Sequence, residues 1–258
     1  MTLTVDEFGP SDAPPVVLLH GVGTTGWMWT RQIAALSNEL RLLVLDLPGH
    51  GRSRAVPWTS LADTASLVAD LVAERTTDGR AHVVGLSLGG YVTLHLAATA
   101  PRTVSSALVS GVNVLPLPGS GRLRVLSALI TPVMSWGPVV RANARALRVP
   151  EADLPGYTAA ARTTSPRAFR RASDEALDYR VPVDAGASPV PLLAVAGERE
   201  HDLTRRSQSR IADAFPAGQA RLAPGVGHAW NGERPDLFTA MVRAAVAGAP
   251  LPQELLPA

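Results

Sequence analysis

The feature that most constrains this chain is the turn Gly-Leu-Ser-Leu-Gly at residues 85–89. A short apolar and β-branched run, 81–86, comes directly before it and is typical of a buried parallel strand. Apolar residues then recur at helical spacing from Leu88 until Pro101, a residue type that stops a helix. Ser87 is therefore predicted to lie on a tight turn between a strand and a helix.

Such a turn favours nucleophilic chemistry at Ser87. Gly85 and Gly89 carry no side chains, so neighbouring backbone can approach closely. The hydroxyl is lifted clear of the sheet, at a helix N-terminus whose free N–H groups favour developing negative charge. The motif resembles the nucleophile elbow G-x-S-x-G of the α/β-hydrolase family. The same five residues also occur in ordinary strand–helix turns with an exposed serine. The assignment of Ser87 as a nucleophile therefore depends on the rest of the chain.

A glycine-rich segment at residues 21–26 has two interpretations. It follows a buried strand and precedes a helix, and it matches the dinucleotide fingerprint G-x-G-x-x-G. Asp46 lies at the distance of the acid that binds a ribose, which would indicate an NAD-dependent dehydrogenase. The resemblance to α/β-hydrolases implies instead an oxyanion hole formed by the backbone N–H groups of Val22 and Leu88.

The segment from Asp46 to Ser53 favours the hydrolase interpretation. A dinucleotide-binding strand needs only its acid and a turn, whereas this segment continues as Pro-Gly-His-Gly. It is similar, residue by residue, to the D-x-P-G-x-G-x-S loop of α/β-hydrolases. The resemblance implies that Asp46 braces the loop and that His50 is structural.

Serine is a poor nucleophile at neutral pH, so Ser87 needs a base and a group that orients the base. The α/β-hydrolase order along the chain is serine, acid, histidine. Of the six histidines, only His228, in the sequence Gly-Val-Gly-His, occupies the late position that the family uses for its base. The resemblance therefore implies that His228 is the general base.

The acid of the triad is less clear. The family usually places it three residues after the glycine that ends a strand, and here that position is Glu200, after Gly197. Asp202 is the runner-up and Glu198 is third. We favour Glu200, because glutamate is a permitted variant of this acid.

The length of 258 residues suits a single α/β domain with an insertion. The alternation of strands and helices stops between residues 113 and 180, where prolines and glycines separate helical patches at 121–135, 139–148 and 166–179. We predict an α/β-hydrolase fold with a mostly parallel central sheet flanked by helices. Its core domain comprises residues 1–112 and 181–258, and residues 113–180 form an inserted helical cap.

Composition narrows the expected partners. The chain has no cysteine, which excludes disulfides and a cysteine-based zinc site, and no metal or cofactor is expected. Its net charge is only +2, which is a weak argument for the binding of nucleic acid. Residues 113–180 contain ten arginines and five acidic residues. This excess positive charge either attracts anionic substrates or simply lies on solvated helix faces. The N-terminus lacks a signal peptide and no apolar run could span a membrane, so we expect a cytoplasmic protein.

The sequence thus predicts a cofactor-independent serine hydrolase that cleaves a carboxylic ester, thioester or lactone. The expected substrate is a small molecule with an apolar acyl or aromatic group, held by a pocket that includes Trp27, Trp29, Trp136 and Trp230. Three alternatives stay open: other chemistry on the same triad (C–C bond hydrolysis, perhydrolysis or lyase chemistry), a non-catalytic binding protein, and the dehydrogenase. The oligomeric state is also open, with a homodimer as one option.

Overall fold

The central element of the computed structural model, which describes residues 2–258, is a single eight-stranded sheet. In chain order its strands are β1 (Val5–Phe8), β2 (Pro15–Leu19), β3 (Arg41–Leu45), β4 (Ala81–Leu86), β5 (Val104–Ser110), β6 (Leu192–Gly197), β7 (Gly218–Ala223) and β8 (Leu256–Pro257). Their order in the sheet is β1-β3-β2-β4-β5-β6-β7-β8. All pairs from β3 to β7 are parallel, and the edge strands β1 and β8 pair antiparallel with β3 and β7.

Helices cover both faces of the sheet. Within residues 2–258 they are α1 (Thr30–Leu36), α2 (Leu61–Arg75), α3 (Leu88–Thr99), α4 (Ser120–Ile130), α5 (Gly137–Ala146), α6 (Leu154–Thr163), α7 (Pro166–Asp178), α8 (Asp202–Asp213), α9 (Trp230–Glu233) and α10 (Pro235–Ala247). None of the helices in this range combines the length and the apolar character needed to cross a bilayer. The mostly parallel sheet with helices on both sides confirms the predicted fold class.

The apolar core is divided by the sheet into two layers. Side chains of a strand point alternately to opposite faces. In β2, Val17 and Leu19 accordingly pack with α2, α3 and α8, whereas Val16 and Leu18 pack with α1 and α10. Both sets are fully buried, which explains why the strands are continuous apolar runs rather than alternating ones.

Four helices, α4 to α7, are inserted between β5 and β6, in the segment predicted to form the cap. Helix α4 ends at Ile130, earlier than the predicted 121–135 patch, and a short 3-10 turn over Thr131–Val133 follows. The proline in this turn has no backbone N–H to continue the α-helix. The sequence analysis did not predict helix α6, although Pro155 lies in its first turn, where proline is well tolerated. The domain division at residues 113 and 180 stays a prediction.

Helix α7 attaches the inserted segment to the core through Glu175. Its carboxylate accepts hydrogen bonds from the Leu61 backbone N–H, 2.8 Å from Oε1, and from the Trp58 indole N–H, 3.2 Å from Oε2. Leu61 is the first residue of α2, so a negative charge at this point also interacts favourably with the helix dipole. Trp58 is fully buried, so its indole N–H depends on this contact.

We expect Glu175→Ala to lower the free energy of unfolding by about 1–3 kcal/mol, because it leaves a buried indole N–H and a helix-terminal N–H without an acceptor. Urea denaturation followed by circular dichroism would measure the change. Glu74→Ala is the matched control: Glu74 is exposed on α2, and its one ion pair within residues 2–258 is with Arg75. Equal effects of the two substitutions would contradict the anchoring role of Glu175.

Candidate active site

Ser87 lies between β4 and α3 in a strained backbone conformation, with φ 55° and ψ −114°. A non-glycine residue at positive φ is uncommon and costs of the order of 1–3 kcal/mol. The surrounding backbone holds it there: the Ser87 N–H donates to Ser110 O at 2.8 Å, and Ser87 O accepts from the Tyr91 N–H at 3.0 Å. The turn therefore presents the Ser87 hydroxyl at the N-terminus of α3.

The two glycines of the motif are required by the closeness of the backbone. A Cβ atom on Gly85 would lie 2.1 Å from Gly89 O, and one on Gly89 would lie 2.1 Å from Leu19 O. Both distances are far shorter than van der Waals contact allows. The Gly89 N–H in turn donates to His20 O at 3.0 Å, which fixes the turn against the end of β2.

The loop after β2 passes directly beside Ser87. A Cβ on Gly21 would lie 3.5 Å from the Ser87 Cβ, and Val22 and Ser87 line the same cavity. Leu88 is the first residue of α3, and its side chain is buried in the core. Within residues 2–258, no acceptor receives a hydrogen bond from the Val22 or Leu88 N–H. These are the two donors assigned to the oxyanion hole from the sequence.

His20 connects this loop to the next one. Its Nε2 accepts from the Leu47 N–H at 2.9 Å, and its Nδ1 lies 2.8 Å from Gly21 O, so the proton is on Nδ1. Burial lowers the pKa of His20 to about 4, which keeps the ring neutral at pH 7. The ring of His50 packs edge-on against it, and burial lowers the pKa of His50 to about 3. Both rings are enclosed parts of the loop structure.

Asp46 braces the same loops. Its Oδ1 accepts from the Gly26 N–H at 2.9 Å and its Oδ2 from the Arg52 N–H at 3.0 Å. Burial raises the pKa of Asp46, but these hydrogen bonds outweigh it and hold the pKa below its usual value. Both carboxylate oxygens are thus engaged with backbone, which contradicts a ribose-binding role and removes the basis of the dehydrogenase interpretation.

His228 and Glu200 form a close pair on the loops that follow β7 and β6. The His228 Nδ1 lies 2.6 Å from Glu200 Oε2, and Glu200 Oε1 accepts from the Gly197 N–H at 3.0 Å. The Glu200 side chain is only 4% exposed. Burial lowers the pKa of His228, but the charge and hydrogen bond of Glu200 outweigh it and raise the pKa above its usual value. The Nε2 of His228 is left as the atom that can exchange a proton.

The other two acids considered from the sequence lie elsewhere. Asp202 is more than half exposed and pairs with Arg205 at 3.2 Å, on the first turn of α8. Glu198 accepts from the Gly225 N–H at 2.8 Å and so braces the loop that carries His228. Among the acids of residues 2–258, Glu200 is the one that contacts His228. Its catalytic role remains a prediction.

Two further residues fix the position of His228, and the sequence analysis missed both. Gly111 has φ +67°, and a Cβ there would lie 2.8 Å from the His228 Cε1. The Glu233 carboxylate accepts from the Gly227 N–H at 2.7 Å, directly before His228. Gly111 follows β5 as Ser-Gly, a turn signal that carries no information on which side chain packs against it.

A cavity of 510 Å³ opens beside these groups, and Ser87, Val22 and His228 all line it. Most of its other lining residues come from the inserted helical segment and from α1 and the turn before it. They include Trp27, Met28, Arg31, Asn143, Leu147, Asp153, Tyr157 and Phe169. The sequence could not identify the inserted ones, because their position depends on the path of the cap over the core. Arg31 and Asp153 form an ion pair at 2.5 Å that bridges α1 and the cap.

Of the four tryptophans assigned to the pocket, only Trp27 lines it. Trp29 and Trp230 are fully buried on either side of Phe238, in the core layer that packs α1 and α10 against the sheet. Trp136 is 62% exposed on the cap. The assignment of Trp29, Trp136 and Trp230 to the pocket was wrong, since sequence neighbours of a site residue need not point the same way.

Comparisons with known proteins identify the family to which this fold belongs. The model of the alpha/beta hydrolase family matches residues 16–241. Lipase LipV of Mycobacterium tuberculosis is 40% identical over 129 residues, 50% of this chain and 48% of that protein. The 3-oxoadipate enol-lactonase 1 of Acinetobacter baylyi is 36% identical over 95 residues, 37% of this chain and 35% of that protein. The chain thus spans about half or less of the length of these curated relatives.

A solved structure extends the likeness to nearly the whole fold. A thermophilic esterase from Thermogutta terrifontis superposes with a TM-score of 0.82 at 21% identity, over 95% of this chain and 93% of that one. At this level of identity the superposition supports the shared fold alone.

We expect Glu200→Gln to lower the pKa of His228, because the substitution removes the negative charge and leaves burial as the dominant influence. An NMR titration of the His228 Cε1–H signal would measure the shift. Asp202→Asn removes an equal charge from the neighbouring turn and should leave the His228 pKa almost unchanged. A larger shift in Asp202→Asn than in Glu200→Gln would reverse the assignment of the acid.

Proposed function

The chain belongs to the alpha/beta hydrolase family, and from that premise we propose that it is a cofactor-independent serine hydrolase of carboxylic esters, thioesters or lactones. The observation that carries the proposal is the pair His228–Glu200, 2.6 Å apart, whose histidine lines the same cavity as Ser87. Nucleophile, base and orienting acid are the three groups that acyl transfer through serine requires.

In the proposed mechanism, the Ser87 Oγ attacks the substrate carbonyl while His228 Nε2 accepts the hydroxyl proton. Glu200 holds the proton on His228 Nδ1 and stabilises the imidazolium that forms. His228 then donates its Nε2 proton to the leaving group, which departs and leaves an acyl-enzyme on Ser87. His228 then takes a proton from a water molecule as the water oxygen attacks the acyl carbonyl. The bond between the acyl group and Ser87 Oγ breaks, His228 returns the proton to Ser87 Oγ, and the acid is released.

The negative charge on the carbonyl oxygen is stabilised in this mechanism by the N–H groups of Val22 and Leu88. Each such donor is typically worth about 3 kcal/mol in the transition state. The dipole of α3 adds to the effect, because the oxyanion forms at the N-terminus of that helix. Since both donors are backbone groups, side-chain substitutions at these positions test them poorly.

The substrate class rests on the relatives and on the cavity. A lipase and an enol-lactonase are among the relatives, which supports esters and lactones as the substrates. The lining of the cavity is largely apolar, with Trp27, Tyr157 and Phe169 as its aromatic members. Such a surface favours a substrate with an apolar acyl or aromatic group.

A fluorophosphonate probe should add one adduct to the wild-type protein, detected by intact-mass analysis, because an activated serine attacks phosphorus as it attacks a carbonyl. We expect no adduct on Ser87→Ala. Ser66→Ala is the matched control and should label like the wild type, since the Ser66 hydroxyl only donates to Ala62 O within α2. No adduct on folded wild-type protein would refute an activated Ser87.

Glu200→Gln should reduce kcat by about a hundredfold to ten-thousandfold on a p-nitrophenyl ester, whereas Asp202→Asn should change it little. In the wild type, kcat/KM should fall as the pH drops through the raised pKa of His228, because a protonated ring cannot accept the Ser87 proton. In Glu200→Gln this midpoint should move to lower pH. A midpoint that stays fixed would disprove the coupling of Glu200 to the base.

A further inference from the structure

A second cavity, of 190 Å³, lies between the inserted helices and Gly23, next to the cavity that Ser87 lines. Its wall is built from α4, α5, the segment between them, α6 and α7, with Met134, Val139, Val140 and Ala161 among its residues. No charged side chain within residues 2–258 lines it. None of the catalytic steps proposed above uses this space.

The two cavities share one wall. Asn143, Tyr157 and Phe169 line both, so these three side chains are the partition between them. The two polar side chains of the partition are linked to each other, because the Asn143 amide donates to the Tyr157 hydroxyl at 2.6 Å. The third side chain, Phe169, is apolar, and an apolar chain can pack against its ring without desolvating a polar group.

The partition also stands next to the proposed oxyanion hole. A Cβ on Gly23 would lie 3.2 Å from Phe169 Cε2, so the Phe169 ring rests on the backbone directly after Val22. The partition is thus what separates the second cavity from a carbonyl group held between Ser87 and the Val22 N–H. A chain attached to that carbonyl has a short route into the cap.

We propose that the second cavity is a subsite for an unbranched alkyl chain of the substrate, reached past Phe169. The inference rests on the proposed ester hydrolysis and specifies its substrate class: esters, thioesters or lactones that carry a linear apolar chain. The chain belongs either to the acyl group or to the alcohol, and the same cavity chemistry serves both. Each methylene buried from water contributes about 0.8 kcal/mol, or about fourfold in binding.

The test is the dependence of kcat/KM on chain length. One series varies the acyl group of p-nitrophenyl esters from acetate to octanoate, and a second varies the alcohol of n-alkyl acetates. In the wild type, kcat/KM should rise about fourfold per methylene in one series until the second cavity is full. The series that rises identifies which side of the ester enters the cap.

Val139→Trp should fill the second cavity, since Val139 lines it without lining the one beside Ser87. We expect the ratio of octanoate to acetate rates, or the corresponding alcohol ratio, to fall by about tenfold or more. Ala142→Leu, at a more exposed lining position, repeats the test with a smaller change. Val133→Trp is the matched control: Val133 is 44% exposed on the cap, lines neither cavity and should leave the profile unchanged.

Flat profiles in a wild type that cleaves short esters would overturn the subsite and leave the proposed function standing. If no ester is cleaved at all, the proposed function fails, and binding of n-alkanols to Ser87→Ala decides the subsite separately. In Ser87→Ala, the Kd of the n-alkanols should decrease about fourfold per methylene. Adding Val139→Trp to this variant should abolish the trend. A Kd that does not depend on chain length, or that Val139→Trp leaves unaltered, would overturn the inference.

Discussion

The candidate site depends on one close packing of backbone against backbone. Gly89 lies against Leu19 O and Gly85 against Gly89 O, with no room for a Cβ at either glycine. This contact lets β2, β4 and the start of α3 approach closely enough for the Gly89 N–H to donate a hydrogen bond to the His20 carbonyl. The strain of Ser87 at positive φ is tolerated because hydrogen bonds on both sides of it fix the turn. A larger residue at either glycine would move Ser87, the loop beside it, or both.

The remaining groups meet at Ser87 because parallel strands end at the same edge of the sheet. The loops that carry Val22, Ser87, Glu200 and His228 follow β2, β4, β6 and β7, all of which run in the same direction. Residues distant in sequence thus converge without any long unsupported loop. Each loop is then fixed by buried contacts of its own, such as Asp46 to the Gly26 and Arg52 amides.

The parts of the site that follow from local rules could be predicted from the sequence. The strand-turn-helix around Ser87 needs only an apolar run, apolar residues at helical spacing after it and two glycines, and the structure has the strand at the predicted residues 81–86. The choice of Glu200 over Asp202 was implied by the resemblance to α/β-hydrolases, and its spacing after Gly197 lets its carboxylate fold back onto the Gly197 N–H. The prediction that Trp29, Trp136 and Trp230 line the pocket was wrong because the direction of a side chain in a loop or short helix depends on tertiary packing. Trp230 follows His228 by two residues, yet its indole N–H donates to Ser110 in the core.

The cap poses a different physical problem from the core. Its helices are short, α4 has no buried residue, and prolines rather than periodicity set their ends, so the sequence predicts helices without predicting which faces meet. Yet the cap contacts the candidate site directly: the Ala229 N–H, next to His228, donates to Leu147 O, and Phe169 lies on Gly23, directly after Val22. A substitution in the cap can therefore alter the positions of His228 and of the Val22 N–H as well as the shape of the cavity. Effects of cap variants on kcat and on KM must accordingly be separated before either is attributed to substrate recognition.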